Sequence, residues 1–241
     1  GVIMAQTRYK RVLIKLSGEA LAKDVENSTR IINFDFLHQV CTEIKHCRDL
    51  GTQIAIVIGA GNIWRGARNT GVERVRADHM GMLATTINAL AMQDMLEKLD
   101  VPASVLSAIE MKEVAEPFTQ ARALKHLNQG DVVIFSCGTG CPYFSTDTAA
   151  VLRAAEMRAD VILLAKNIDA VYTADPHKDP SAQRLEHISF DDVYHNKLDV
   201  IDRAAAAFMM QNRIPLVVFG LKDPHNIVRA VCGEKIGTLV D

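Results

Sequence analysis

At 241 residues, 49% of them hydrophobic, the chain is long enough to bury a sizeable core and too apolar for a disordered segment. Its formal charge of −2 provides no overall basic field for nucleic acid, and no apolar run approaches the roughly 20 residues that a membrane-spanning helix requires. Five cysteines, at 41, 47, 137, 141 and 232, complete no zinc-ligand spacing and read as reduced thiols.

Short β-branched runs predict strands at 11–16, 53–58, 103–106, 132–136, 161–165 and 216–219. Between them, helical periodicity predicts helices at about 34–50, 78–99, 119–128, 147–158, 199–212 and 224–232. The strands are continuously apolar rather than alternating, so both sheet faces must be covered. Strand–helix alternation then predicts an α/β fold with an open, mostly parallel central sheet sandwiched by helices. The whole of 1–241 reads as a single domain. Ligands of such sheets sit outside the carboxyl ends of the strands.

The chemistry-bearing residues fall at those ends. The first strand runs out through Lys15-Leu16-Ser17-Gly18-Glu19, where a lysine can neutralise an anion and Ser17-Gly18 let backbone amides approach it; a lysine snorkelling to the sheet edge is the plainer reading. The second runs out through Gly59-Ala60-Gly61-Asn62 to Trp64-Arg65-Gly66, whose arginine can grip a phosphate in two places, or which is an ordinary glycine turn. Neither segment is a dinucleotide fingerprint or a Walker A loop.

Asp78-His79 opens the long helix in this reading, either as a plain cap or as an acceptor for sugar hydroxyls. That helix carries two apolar stripes, Leu83/Ile87/Leu90 and Ala84/Ala91/Met95, which suits burial on two sides, by its own sheet and by a second subunit, or a central place in a monomer. The fourth strand empties into Cys137-Gly138-Thr139-Gly140-Cys141-Pro142-Tyr143-Phe144-Ser145-Thr146-Asp147. This loop of glycines and hydroxyls ends at a helix start that Thr146 would cap, a setting for phosphate or another polar ligand. After the fifth strand, Lys166-Asn167 precede Asp169 and the Tyr172–Asp175-Pro176 segment. Asp169 and Asp175 suit a ribose or a nucleotide-bound metal, or are turn residues. The charge-rich stretch 172–186 reads as an irregular loop. Four such strand ends point to two phosphorylated ligands in one crevice, and phosphoryl transfer needs chiefly positioning and charge neutralisation from a protein.

On these residues the chain resembles the amino-acid kinase superfamily and, within it, the bacterial UMP kinases. The matching pieces are Tyr9-Lys10-Arg11 with Lys15–Leu21, Gly59–Asn62 with Arg65-Gly66, and Asp78–Thr85. Gly138–Asp147, Asp169–Pro176 and Gly233–Thr238 complete the set, so the likeness spans residues 9 to 240. The resemblance implies transfer of a phosphoryl group from ATP to UMP, with Mg²⁺ carried by the ATP, in a cytoplasmic homohexamer that uses neither nucleic acid nor membrane. Residues up to about 160 would hold mainly UMP and 161–241 mainly ATP. Lys15, Asp147 and Arg65 would be catalytic. Lys15, Leu16, Ser17, Gly18, Gly61, Arg65, Lys166, Asn167, Tyr172 and Asp175 would contact ATP. Ala60, Asp78, Thr139, Gly140, Cys141, Pro142, Tyr143, Phe144, Ser145 and Thr146 would contact UMP, Asp78 through the ribose.

Three positions depart from the family pattern. Ala60 stands where a glycine is usual and would be strained if its φ were positive. Lys166-Asn167 replaces the commoner Thr-Lys, and the segment 23–33 lacks glycines associated with regulation by GTP. Two other readings stay open at this level: a carboxylate or carbamate kinase of the same superfamily, and a nucleotide-binding regulator without turnover.

Overall fold

Runs such as RVLIKL and QIAIVI can form parallel strands because helices on both faces exclude water from nearly every residue. A computed structural model describes residues 6–22, 30–65, 71–196, 198 and 200–241. Its strands are β1 (Arg11–Leu16), β2 (Gln53–Ile58), β3 (Ala103–Ser107), β4 (Glu116–Pro117), β5 (Val132–Ser136), β6 (Val161–Lys166), β7 (Val171–Tyr172), β8 (Arg184–Leu185), β9 (His187–Ile188), β10 (Leu216–Gly220) and β11 (Thr238–Val240). Its helices are α1 (Gly18–Leu21), α2 (Phe34–Asp49), α3 (Arg74–Lys98), α4 (Gln120–Gln129), α5 (Thr146–Met157), α6 (Phe190–His195), α7 (Arg203–Asn212) and α8 (Asn226–Val231).

Nine strands form one sheet in the order β4-β3-β5-β2-β1-β6-β10-β11-β9, parallel throughout except for the β10–β11 pair. β7 and β8 form a separate antiparallel hairpin. The chain builds leftward from β1 to β4 and then crosses to β6 on the other side of β1, so the direction of growth switches beside β1, where ligands of open sheets bind. Alternate residues of one strand feed opposite cores. Val12, Ile14 and Leu16 meet α2, α3 and α8, while Leu13 joins Val57, Leu164 and the alanine-lined face of α5. Each such fully buried aliphatic side chain stabilises the fold by about 1.5–3 kcal/mol.

The sheet and its sandwich agree with the sequence reading, and the differences lie at element ends and in short elements the reading does not contain, β4, β7, β8, β9, β11, α1 and α6. α3 starts at Arg74, not at 78, because the Glu73 carboxylate accepts from the Val75 and Arg76 amides; Asp78 therefore lies in the second turn and caps nothing. α5 is capped by Ser145 rather than Thr146. The helix expected over 199–212 is α7 alone, capped by Asp202, with α6 before it. The 172–186 stretch holds the β7–β8 hairpin at its ends. Of the two stripes on α3, Leu90, Ala91 and Met95 pack against the core and Ala84 is buried, whereas Leu83 and Ile87 remain 53% and 48% exposed. Gly66 and residues 23–29 of the glycine-poor segment lie outside the described residues.

Candidate active site at the strand ends

Lys15 lies on a central strand, between Val57 of β2 and Leu164 of β6, and its ammonium reaches Asp147 Oδ1 at 3.0 Å. Both side chains are largely buried, at 13% and 19% exposure, so each charge offsets much of the other's desolvation. That buried Oδ1 meets only the lysine ammonium among the described residues.

Two glycine loops meet beside this pair. A Cβ on Gly18 would lie 2.5 Å from Asn62 Oδ1 and 2.7 Å from the Gly59 carbonyl, so no other residue fits there. The Gly59 amide donates to the Leu16 carbonyl at 2.9 Å, and the buried Asn88 of α3 holds the second loop from behind. Its amide donates to the Gly59 carbonyl at 2.8 Å and to Asn62 Oδ1 at 2.9 Å; Asn62 donates back to Asn88 Oδ1 at 3.1 Å and to the Ile31 carbonyl at 2.8 Å. Ala60 is absent from the residues with positive φ, so alanine in place of glycine is unstrained here. Trp64 closes the turn by donating to the Ala77 carbonyl at 2.9 Å. Arg65 donates through Nε to the Gly61 carbonyl at 3.2 Å and pairs with Glu19 at 2.5 Å.

The loop after β5 bends through four left-handed residues, Cys137 (φ 63°), Gly138 (φ 56°), Gly140 (φ 77°) and Tyr143 (φ 73°). The two that are not glycine each cost about 1–3 kcal/mol of strain and persist because surrounding bonds fix them. The Cys137 amide donates to Thr85 Oγ1 and the Tyr143 amide to Asp78 Oδ2, both at 2.8 Å, so α3 grips the loop twice. Asp78 also takes Arg74 Nε at 2.8 Å. Ser145 accepts from the Asp147 and Thr148 amides at 3.1 and 3.2 Å and bonds to Asp202. Asp202 also takes the Thr148 hydroxyl and the Ala205 amide, which ties the start of α7 to the start of α5.

The result is a cavity of about 350 Å³ in which Ala60, Gly61, Arg65, Asp78, Thr139 and Thr146 converge, with Ser145 and Phe144 at its wall. Gly140, Cys141, Pro142 and Tyr143 belong to the same loop but do not line this space; Cys141 and Tyr143 are exposed. Beside it, Asn167, Glu19 and Lys222 line a second cavity of about 340 Å³. Lys166 ends β6 and donates to the Val200 carbonyl. Tyr172 and Asp175 sit further out: Tyr172 donates to Asp169 at 2.9 Å, and Asp175 accepts from the His177 amide at 2.9 Å as a turn residue does.

Sequence reasoning gave no role to Glu19, Thr85, Asn88 or Asp202. Asp202 carried a signal, since an acid just ahead of an alanine run marks a helix start. Nothing local marked the other three as site residues, because their partners are distant in sequence.

The family model described as the amino acid kinase family matches residues 10–220. The chain is similar to the UMP kinase of Bacillus anthracis at 40% identity, covering 97% of this chain and 96% of that one, with a TM-score of 0.91. The UMP kinase of Ureaplasma parvum gives 38% identity, 97% and 99% coverage and a TM-score of 0.90. The uridylate kinase of Archaeoglobus fulgidus gives 27%, 95% and 99%, and 0.72. With the sheet, its switch point and a family match over most of its length, this chain belongs to the amino acid kinase family.

Proposed function

We propose that this protein transfers the terminal phosphoryl group of ATP to UMP, giving ADP and UDP. The observation that carries the reading is the largely buried Lys15–Asp147 pair at the sheet's switch point, with Thr146, the neighbour of Asp147, lining the cavity that Arg65, Asp78 and Thr139 share. Likeness to UMP kinases along 97% of the chain supports the choice of acceptor.

In this reading UMP occupies the first cavity. Arg65 and the amides of the Gly59–Gly61 turn hold its phosphate, Asp78 accepts from a ribose hydroxyl, and Thr139, Phe144, Ser145 and Thr146 face the base, while Gly140, Cys141, Pro142 and Tyr143 shape the loop that carries them. Both contacts of Asp78 fall on Oδ2, which leaves Oδ1 for the sugar. ATP lies across Leu16, Ser17 and Gly18, towards Lys166, Asn167, Tyr172 and Asp175, so that about 1–160 serves UMP and 161–241 serves ATP. Lys15 neutralises charge on the group in transit and Asp147 orients Lys15. No general base is needed, because a phosphate monoester with a second pKa of about 6 already offers a bare oxygen at neutral pH.

Mg²⁺ would arrive with the ATP and shield its phosphates. Asp147 fits such a cation: it is a largely buried carboxylate whose Oδ1 meets only the Lys15 ammonium among the described residues. The exposed Leu83 and Ile87 of α3 support burial against a second copy, and we extend the reading to a homohexamer in the cytoplasm. No helix among the described residues is long and apolar enough to cross a membrane.

The test is ADP release from Mg·ATP with UMP, CMP, dTMP, aspartate, acetylglutamate and carbamate as acceptors. Turnover with UMP is expected. Turnover with an amino acid or carbamate instead would keep the fold and replace the acceptor.

A further inference from the structure

Glu19 is a charged group of the acceptor cavity to which the reading above gives no task. It is the second residue of α1, next to Gly18, and its Oε1 lies 2.5 Å from Arg65 Nη2. Gly61 makes room for it: a Cβ there would lie 2.8 Å from Oε1 and 2.9 Å from Cγ of Glu19. The carboxylate therefore lies against the guanidinium inside the acceptor cavity, where a phosphate would have to lie. Glu19 also lines the neighbouring cavity with Lys222, an exposed cation that has no ion pair among the described residues.

We propose that Glu19 is an internal stand-in for the acceptor phosphate. Its carboxylate holds Arg65 in place while the cavity is empty and gives way when a phosphate monoester dianion binds. The proposal rests on the reading of Arg65 as the group that grips that phosphate. Carboxylate and phosphate present the same pair of acceptor oxygens to a guanidinium, so one can substitute for the other. Both together would set like charges a few ångströms apart, which favours the dianion and expels the single charge. Expulsion is easy because the pair is weak: its partners are 42% and 43% exposed, and water screens them. Once released, the carboxylate has Lys222 within the adjoining cavity to turn towards. Arg65 is thereby kept extended across the crevice, and part of the ordering cost of binding is met before the ligand arrives.

The experiment is calorimetric titration of UMP and of uridine into the wild type, Glu19→Gln, Glu19→Asp, Arg65→Gln and the Glu19→Gln/Arg65→Gln double variant. Glu19→Gln should bind UMP about two- to fivefold more tightly, the range an exposed ion pair allows, with uridine affinity unchanged. Glu19→Asp, which keeps the charge, should show no gain, and the double variant should bind UMP no better than Arg65→Gln alone. A structural role for Glu19 predicts the opposite sign. Equal or weaker UMP binding by Glu19→Gln, or a gain that uridine shares or that survives without Arg65, overturns the proposal. If Arg65→Gln leaves UMP binding intact, the assignment of Arg65 itself fails and the proposal fails with it. If Glu19→Gln does not fold, Glu19→Ala answers the same question.

Discussion

The loops around the acceptor cavity and the segment that follows β6 are built on opposite plans. The former are tied to distant elements: Gly59 and Asn62 to Asn88, Cys137 to Thr85, Tyr143 to Asp78, Ser145 to Asp202. The latter is anchored to distant residues only at the base of its hairpin, where the Val171 amide donates to Thr238 and Arg184 to the Ile236 carbonyl; further out it is tied to itself, with Tyr172 bonding Asp169, Asp175 bonding the His177 amide and Asp179 bonding Ser181. Long-range ties fix a geometry before any ligand is present, and preorganised charges contribute most to transition-state stabilisation. Local turns fix only themselves. In the proposed reading, the acceptor end and Lys15 are prebuilt, while the outer donor end is completed by the nucleotide.

Lys15→Ala strikes where the two ends meet and should have the largest effect. Removing one preorganised charge should lower kcat about 10²–10³-fold. Its UMP affinity, measured by calorimetry, should stay within about threefold, since the lysine acts on the group in transit. An unchanged kcat would take Lys15 out of the mechanism. Asn88→Leu tests the ties themselves. It leaves the Gly59 carbonyl and Asn62 Oδ1 without the Asn88 donor, which should cost about 1–3 kcal/mol in urea unfolding. The KM for UMP should rise more than the KM for ATP. Equal rises would dissolve the contrast between the two ends.

Helix α4 gives a pH test. His126 lies between Asp131 at 2.8 Å and Glu116 at 3.1 Å. Burial disfavours its charged form, but hydrogen bonds to Asp131 and Glu116 outweigh that and hold its pKa above the usual histidine value of 6.5. A raised folded pKa stabilises the fold fully below 6.5 and loses that contribution as pH climbs through the higher value. The melting temperature of the wild type should therefore exceed that of His126→Gln at pH 6 and converge towards it under alkaline conditions. The difference should correspond to at most about 1 kcal/mol. A gap that widens with pH would reverse the sign. The smallest effect belongs to the donor hairpin: Tyr172→Phe removes an exposed bond and should shift the KM for ATP by no more than about threefold. A tenfold shift would mean that this end too is prebuilt.

How much of this could be read from the chain depended on the distance over which each feature is determined. β1, β2 and β5 are bounded as expected because an unbroken apolar run needs no partner to be recognised. β9 and β11 were missed because two or three residues held by neighbouring strands carry no period of their own. The start of α3 was misplaced because Asp78 is the better capping residue by type, yet Glu73 supplies the bonds. Lys15 and Asp147 each stood out at a strand or helix end, but their 3.0 Å contact follows only from the sheet order. Glu19, Thr85 and Asn88 are ordinary helix residues until the fold brings them to the loops.

The loop that surrounds the acceptor also carries a thiol. Cys41, Cys47 and Cys137 are buried, and burial pushes the Cys41 thiol up to about 12 and the Cys47 and Cys232 thiols upward as well. Cys141 alone of the five is exposed. A maleimide dye should therefore couple there first, two residues from Tyr143, and place an optical reporter on the loop without any engineered substitution.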